Sequence, residues 1–83
     1  MEILSSSELV LRKLKKYSLV KKYGKQIKLL GNNIYHPSLK VELLELKKLG
    51  IYNFRIDRKF RALFIFQRRG EVIEVLNVTV HYN

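Results

Sequence analysis

From residue 52 onward, hydrophobic and polar side chains alternate. Tyr52, Phe54 and Ile56 interleave with Asn53, Arg55 and Asp57, and Phe60, Ala62, Phe64 and Phe66 interleave with Arg61, Leu63, Ile65 and Gln67. A period of two is the mark of a strand with one buried face, so this stretch predicts two strands joined by the loop Asp57-Arg58-Lys59. Keeping the aromatic rings together fixes the pairing, because a slip of one residue turns every side chain to the wrong side. Ile56 then faces Phe60, and Arg55 faces Arg61. The same logic around a loop Arg68-Arg69-Gly70 predicts a third strand, with Phe66 opposite Val72, Ala62 opposite Leu76, Phe60 opposite Val78, and Asn77 beside Arg61. Glu74 falls on the apolar side, a misfit expected near the sheet edge. The second face carries Asn53, Arg55, Arg61, Asn77 and Thr79, and the alternation continues onto His81 with Tyr82 next to it.

The first half of the chain has a different rhythm. Met1 to Leu4 is a short apolar opening that predicts an edge strand, and Ser5 followed three residues later by Glu8 predicts a capping box. Val10, Leu11, Leu14 and Tyr17 then recur at helical spacing, with Arg12, Lys13, Lys15 and Lys16 mostly on the other side. Ser18 marks a second helix start. Leu19, Val20, Tyr23, Ile27 and Leu30 form its stripe opposite Lys21, Lys22, Lys25 and Lys28, up to the stop cluster Gly31-Asn32-Asn33. A basic amphipathic pair also suits a membrane surface, but so many aliphatic residues in so short a hairpin fit a sheet better. Tyr35 to Ser38 reads as a loop, since Pro37 biases its predecessor away from helix. Leu39 to Leu49 fits neither period. The whole predicts an α+β fold in one domain, residues 1–83: a short N-terminal strand, a helical hairpin, then an antiparallel β-meander with the helices packed on one face.

Composition narrows the chemistry. With 47% hydrophobic residues, one proline and four glycines among 83 residues, the chain has the makings of a single small core. It has no cysteine and two histidines, which removes disulfides, thiolate metal sites and cysteine nucleophiles and leaves too little for a histidine-only metal site. No metal or other cofactor is expected. The absence of an apolar run near the roughly 20 residues of a membrane span, and of a secretory leader pattern, predicts a cytoplasmic protein. Seventeen Lys and Arg against seven Asp and Glu give a net charge of +10, which favours a polyanionic partner. Arg55, Arg58, Arg61, Arg68 and Arg69 all lie in the second half, and arginine is the residue suited to bidentate phosphate contact.

Two arginines opposed across a strand pair repel unless an anion sits between them. Asp57, Glu42 or Glu45 would serve, and so would a phosphate; the residues leave both open. His81-Tyr82 likewise reads either as a fraying terminus or as part of a site. RNA is cut without metal when a base takes the 2′-hydroxyl proton, a cation stabilises the phosphorane and an acid protonates the departing 5′-oxygen. Glutamate, arginine and histidine can fill those roles, and a neighbouring aromatic can stack on an unpaired base.

The segments Tyr35-His36-Pro37-Ser38-Leu39-Lys40, Leu43-Leu44, Gly50 to Ile56, Phe60-Arg61-Ala62-Leu63-Phe64 and His81-Tyr82, in that order, resemble the RelE/ParE superfamily of toxins from toxin–antitoxin pairs. Lys40-x-Glu42, Gly50 with Arg55, Arg61 opening the next strand and the final His81-Tyr82 are most similar to the YoeB-type ribosome-dependent mRNA interferases. That resemblance implies a metal-independent endoribonuclease acting on mRNA, with Glu42 as general base, Arg61 as phosphate and transition-state stabiliser, His81 as general acid and Tyr82 as a stacking or positioning group. Glu45 is the alternative base. Lys40, Lys47, Lys48, Arg55, Arg58 and Lys59 would contact RNA. The implied partners are an acidic antitoxin, the ribosome and mRNA, in a homodimer or a toxin–antitoxin hetero-oligomer. Two other readings share the fold: a non-catalytic, gyrase-poisoning ParE-like inhibitor, which typically lacks the Glu, Arg and His set, and a basic RNA- or protein-binding module.

Overall fold

The computed structural model describes residues 1–80; His81 and Tyr82 lie outside the described residues. Its elements follow the order strand, two helices, four strands. They are β1 (Glu2–Ile3), α1 (Glu8–Lys16), α2 (Val20–Asn32), β2 (Glu42–Leu43), β3 (Tyr52–Arg55), β4 (Phe60–Gln67) and β5 (Val72–Val80), with 3-10 turns at Pro37–Leu39 and Lys47–Leu49. The five strands form one sheet in the order β1-β5-β4-β3-β2. β1 runs parallel to β5, and the other neighbours are antiparallel. The α+β architecture expected from the sequence is therefore present, with two details the periodicity did not show. The first strand docks on the last, and the unreadable segment 39–49 supplies a two-residue edge strand between two tight turns.

The helices cover the aromatic face of the sheet. Val10 and Leu14 of α1, and Tyr23 and Leu30 of α2, are buried with Phe54, Ile56, Phe60, Ala62, Phe64, Ile73, Val75 and Val78 in one core. Rings pack continuously across it, from Tyr23 against Phe54 (6.0 Å between centroids) through Phe54 against Phe64 (5.9 Å) to Tyr52 against Phe66 (5.1 Å, edge-on). Such aromatic contacts add about 0.5–1.5 kcal/mol each beyond area burial.

The helix boundaries correct three expectations. The cap of α1 is Ser7, not Ser5: the Ser7 side chain accepts from the Val10 N–H at 3.2 Å. The chain is still tied to the sheet at Leu4, whose N–H donates to Ile73 O at 2.9 Å, so Ser5 and Ser6 are needed to cross from sheet to helix. Ser18 does not cap α2. It stands in the left-handed region at φ 56, and Leu19 takes the cap position without a side-chain bond. Ser18 instead ends α1: its N–H donates to Lys15 O (3.2 Å), and the Leu19 N–H reaches back to Leu14 O (2.7 Å). That is the Schellman pattern, with its usual hydrophobic contact supplied by the buried pair Leu14 and Leu19. On α2 the expected Val20 is 54% exposed, and the buried stripe runs Leu19, Tyr23, Gln26, Leu30.

The β3–β4 register is the expected one, Phe54 opposite Ala62 and Arg55 opposite Arg61. The β4–β5 register differs in two places. The turn holds four residues, not three, so that Gln67 pairs with Val72 and Phe66 with Ile73. Arg68 and Arg69 both have positive φ (50 and 57), the condition of a type I′ turn, and the Gly70 N–H closes it onto Gln67 O at 3.1 Å. Further along, Leu63 pairs with Asn77 but Phe64 with Val75, leaving Leu76 as an extra residue in a bulge. Two one-residue offsets add to two, so Thr79, not Asn77, faces Arg61, while the sidedness of both is kept. Between turn and bulge the sidedness is reversed relative to expectation. Glu74 therefore leaves the apolar side, pairs with Ile65 and accepts a hydrogen bond from the Gln67 amide.

β1 pairs with β5 at Val72 and Ile73, and further along β5 side chains occupy the backbone groups of Val78. The Lys13 ammonium donates to Asn77 Oδ1 (2.8 Å) and to Val78 O (3.2 Å), while the Val78 N–H donates to the same Asn77 oxygen (2.8 Å). No helix among the described residues is long and apolar enough to cross a membrane.

Candidate nucleic-acid site

The site lies on the face of the sheet turned away from the helices. Residues two apart on a strand, and residues directly opposed on neighbouring strands, share a face. Glu42 on β2 opposes Asn53 on β3, which shares a face with Arg55, which opposes Arg61 on β4, which opposes Thr79 on β5. Three of the expected residues, Glu42, Arg55 and Arg61, are thus brought together by strand register. The two-residue β2 decides this, because Glu42 has no place on the face unless segment 42–43 pairs with β3.

Arg61 is held from behind. Its guanidinium donates to the carbonyls of Asp57 (2.7 Å) and Phe60 (3.2 Å). One carbonyl lies in the β3–β4 loop and the other on the first residue of β4, and the loop is organised by the Asp57 carboxylate: Oδ1 accepts from the N–H groups of Lys59 (2.9 Å) and Phe60 (2.8 Å), and Oδ2 from Lys22 on α2 (3.2 Å). Burial pushes the Asp57 carboxyl up, but the Phe60 and Lys59 N–H groups and the Lys22 ammonium outweigh it and leave Asp57 below the usual carboxylate range. One side chain therefore shapes the loop with its carboxylate and orients Arg61 with its carbonyl.

Asp57 does not neutralise the arginine pair. The ion pairs within 4 Å among the described residues are Arg12 with Glu8 and Lys22 with Asp57, so Arg55 and Arg61 face each other without a carboxylate in contact. Partial burial and then the Arg55 charge push the Arg61 guanidinium below its ordinary value, and Glu42 and Asp57 pull the other way. Arginine stays protonated regardless. The opposed guanidinium groups leave room for an anion such as a phosphate to pair with both. Of the two candidate glutamates, Glu42 is the one whose charge reaches Arg61.

The remaining predicted residues are spread around this centre. Arg58 and Lys59 are exposed at the tip of the β3–β4 loop, with the Lys59 ammonium 5.6 Å from the centre of the Phe60 ring. Lys47 and Lys48 are exposed on the 3-10 turn that follows β2. Lys40, left-handed at φ 45, lines a cavity of about 410 Å³ with His36, Val41, Tyr52 and Phe66, away from the Glu42–Arg61 face. Among the described residues no three His, Cys, Asp or Glu side chains gather as metal ligands. Two further residues contribute that the periodicity does not single out. Lys22 lies on the basic side of α2, and Gln26 sits three residues after Tyr23 and four before Leu30, in the buried stripe. Its amide donates to Arg55 O (2.7 Å) and Ser38 O (3.2 Å), fixing the end of β3 where β2 no longer covers it.

Against solved structures the chain superposes over almost its whole length. A YoeB/ParE toxin from Agrobacterium tumefaciens matches with a TM-score of 0.73, covering 99% of this chain and 100% of that one at 18% identity. This is the YoeB/ParE toxin fold. The YoeB dimer from Staphylococcus aureus matches with a TM-score of 0.73, and the heterotetrameric YoeB–YefM toxin–antitoxin complex from the same organism with 0.70, each at 22% identity over 99% of this chain and 98% of that one. No family sequence model and no curated protein sequence matches. The YoeB likeness is thus one of backbone, sustained end to end while about four residues in five differ.

Proposed function

We infer that the chain is the toxin of a type II toxin–antitoxin pair, an endoribonuclease that cleaves mRNA on the ribosome without a metal. The observation that carries this reading is the register-opposed pair Arg55 and Arg61, uncompensated by a contacting carboxylate, with Glu42 on the same face. In this reading Glu42 removes the 2′-hydroxyl proton, the 2′-oxygen attacks phosphorus, Arg61 stabilises the charge on the phosphorane, and His81 protonates the 5′-oxygen as the P–O bond breaks. Tyr82 stacks on a base beside the cut. The products are a 2′,3′-cyclic phosphate and a 5′-hydroxyl. Arg55, Arg58, Lys59, Lys40, Lys47 and Lys48 hold the strand and the surrounding ribosomal RNA through phosphate contacts.

The structures that this fold resembles include a YoeB dimer and a YoeB–YefM complex, which supports an acidic antitoxin as the partner and self-association as a second assembly. The excess of +10 charge suits both an acidic protein and RNA. The test is to induce the chain in cells and map mRNA ends by primer extension, then repeat in a translation extract with chelator present. Cleavage within coding sequences that survives chelation and falls about 10²- to 10³-fold in Arg61→Ala, as expected when a transition-state cation is lost, supports the reading. Growth arrest with intact mRNA and inhibited gyrase would assign the chain to the ParE-like alternative. A phenotype that survives Arg61→Ala and His81→Gln would leave a binding module.

A further inference from the structure

A second cationic concavity opens where α2 crosses the end of β3. It holds about 260 Å³ and is lined by Lys22, Lys25, Gln26, Ser38, Arg55 and Ile56. Three of these six are cations from separate positions: two on successive turns of one helix, and one on the sheet. Gln26 is buried and bonded to the Ser38 carbonyl, and Ser38 is itself exposed. Gln26 is 93% buried, at 7% exposure, and both of its bonds go to backbone carbonyls, so this part of the lining is held in place. Lys22 spends one of its three donors on Asp57, and Lys25 is exposed with no hydrogen-bond or ion-pair partner among the described residues. Arg55 lines this cleft, where its carbonyl accepts from Gln26, and it opposes Arg61 across the strand pair.

We propose that this cleft between α2 and β3 binds a backbone phosphate of the RNA strand whose scissile phosphate lies at Arg61, so that Arg55 joins two phosphate sites along one strand. The inference rests on the endoribonuclease reading and extends it by a subsite and a direction of strand exit, off the sheet and onto the lysine-bearing helix. A phosphodiester suits the lining better than a protein segment does. Three of the six lining residues are cations, and the one aliphatic member, Ile56, is 4% exposed, so charge complementarity to a phosphodiester is what the lining offers.

The test uses the full chain and a short 2′-O-methyl oligoribonucleotide, which binds but offers no 2′-hydroxyl to react. Affinity is measured across a salt series for the parent, Lys25→Gln and, as a control of equal charge, Lys15→Gln on the exposed side of α1. Loss of one phosphate contact to a single strand lowers the slope of log affinity against log salt by about 0.7 and weakens binding roughly three- to fivefold near physiological salt. That change in Lys25→Gln, absent from Lys15→Gln and absent when the ligand is a 2′-O-methyl dinucleotide too short to reach the cleft, is the expected result. Equal effects of the two substitutions would overturn the proposal, since the cleft would then be ordinary basic surface. So would unchanged RNA binding in Lys25→Gln together with weakened binding of a glutamate-rich peptide, which would make the cleft a protein-docking site. Failure of the endoribonuclease reading shows elsewhere, as mRNA cleavage insensitive to Arg61→Ala, and is therefore distinguishable.

Discussion

Ser18 shows how a single backbone conformation can be misread from its residue type. Serine before an apolar run is the usual sign of a helix start, yet here the residue closes the preceding helix at φ 56, a conformation that favours glycine. The buried contact between Leu14 and Leu19 compensates for the left-handed serine. Ser18→Gly is expected to raise unfolding free energy by about 0.5–1 kcal/mol, read from the urea midpoint, because relief of Cβ strain exceeds the added freedom of the unfolded chain. Asp57 is the residue on which the site's geometry depends most. Its carboxyl is depressed in the fold, so the stability it contributes is present above the unfolded value near 3.9 and is lost as pH falls through the folded value. Urea midpoints should therefore decline below about pH 4. In Lys22→Met that decline should be smaller, because the depression is partly the work of the Lys22 ammonium.

Among the elements, β5 carries the offset that reconciles the turn with the site. A four-residue turn would by itself put Asn77 and Thr79 into the core, and the bulge at Leu76 turns them back. Deleting Leu76 should abolish the cooperative thermal transition seen by circular dichroism, whereas Leu76→Ala, which keeps the count, should still melt cooperatively. The contrast also explains what could be read in advance. Phe54, Phe64 and their neighbours announce β3 and β4 because alternation is a local property, and the Arg55–Arg61 pairing follows from a loop of fixed length. The bulge leaves no local trace, since a single extra residue in an apolar strand looks like any other. β2 is hidden for a different reason: with two residues it is too short to show a period, and its pairing is imposed by β3 from across the chain. The general-base role of Glu42 is therefore legible only through family likeness, while Lys22 and Gln26 act through contacts 12 to 35 residues away in sequence.

At the scale of the whole molecule, a small core supports an unbalanced charge of +10, and the opposed arginines concentrate part of the strain on one face. Anions bound there should stabilise the fold by mass action. Phosphate at ten times its dissociation constant contributes about 1.4 kcal/mol, which for a chain this size lifts the melting temperature by several degrees. A doubly substituted Arg55→Gln, Arg61→Gln chain should lose that increment while responding to chloride as the parent does, a comparison made by differential scanning fluorimetry. The Lys13 ammonium at the margin of β5 has a consequence at the same scale. A strand border with unpaired N–H and C=O groups is a template on which another polypeptide can crystallise into fibre. Lys13 occupies that template with a charge that an identical molecule also carries. Two copies approaching border to border meet ammonium with ammonium, which disfavours self-pairing along that border.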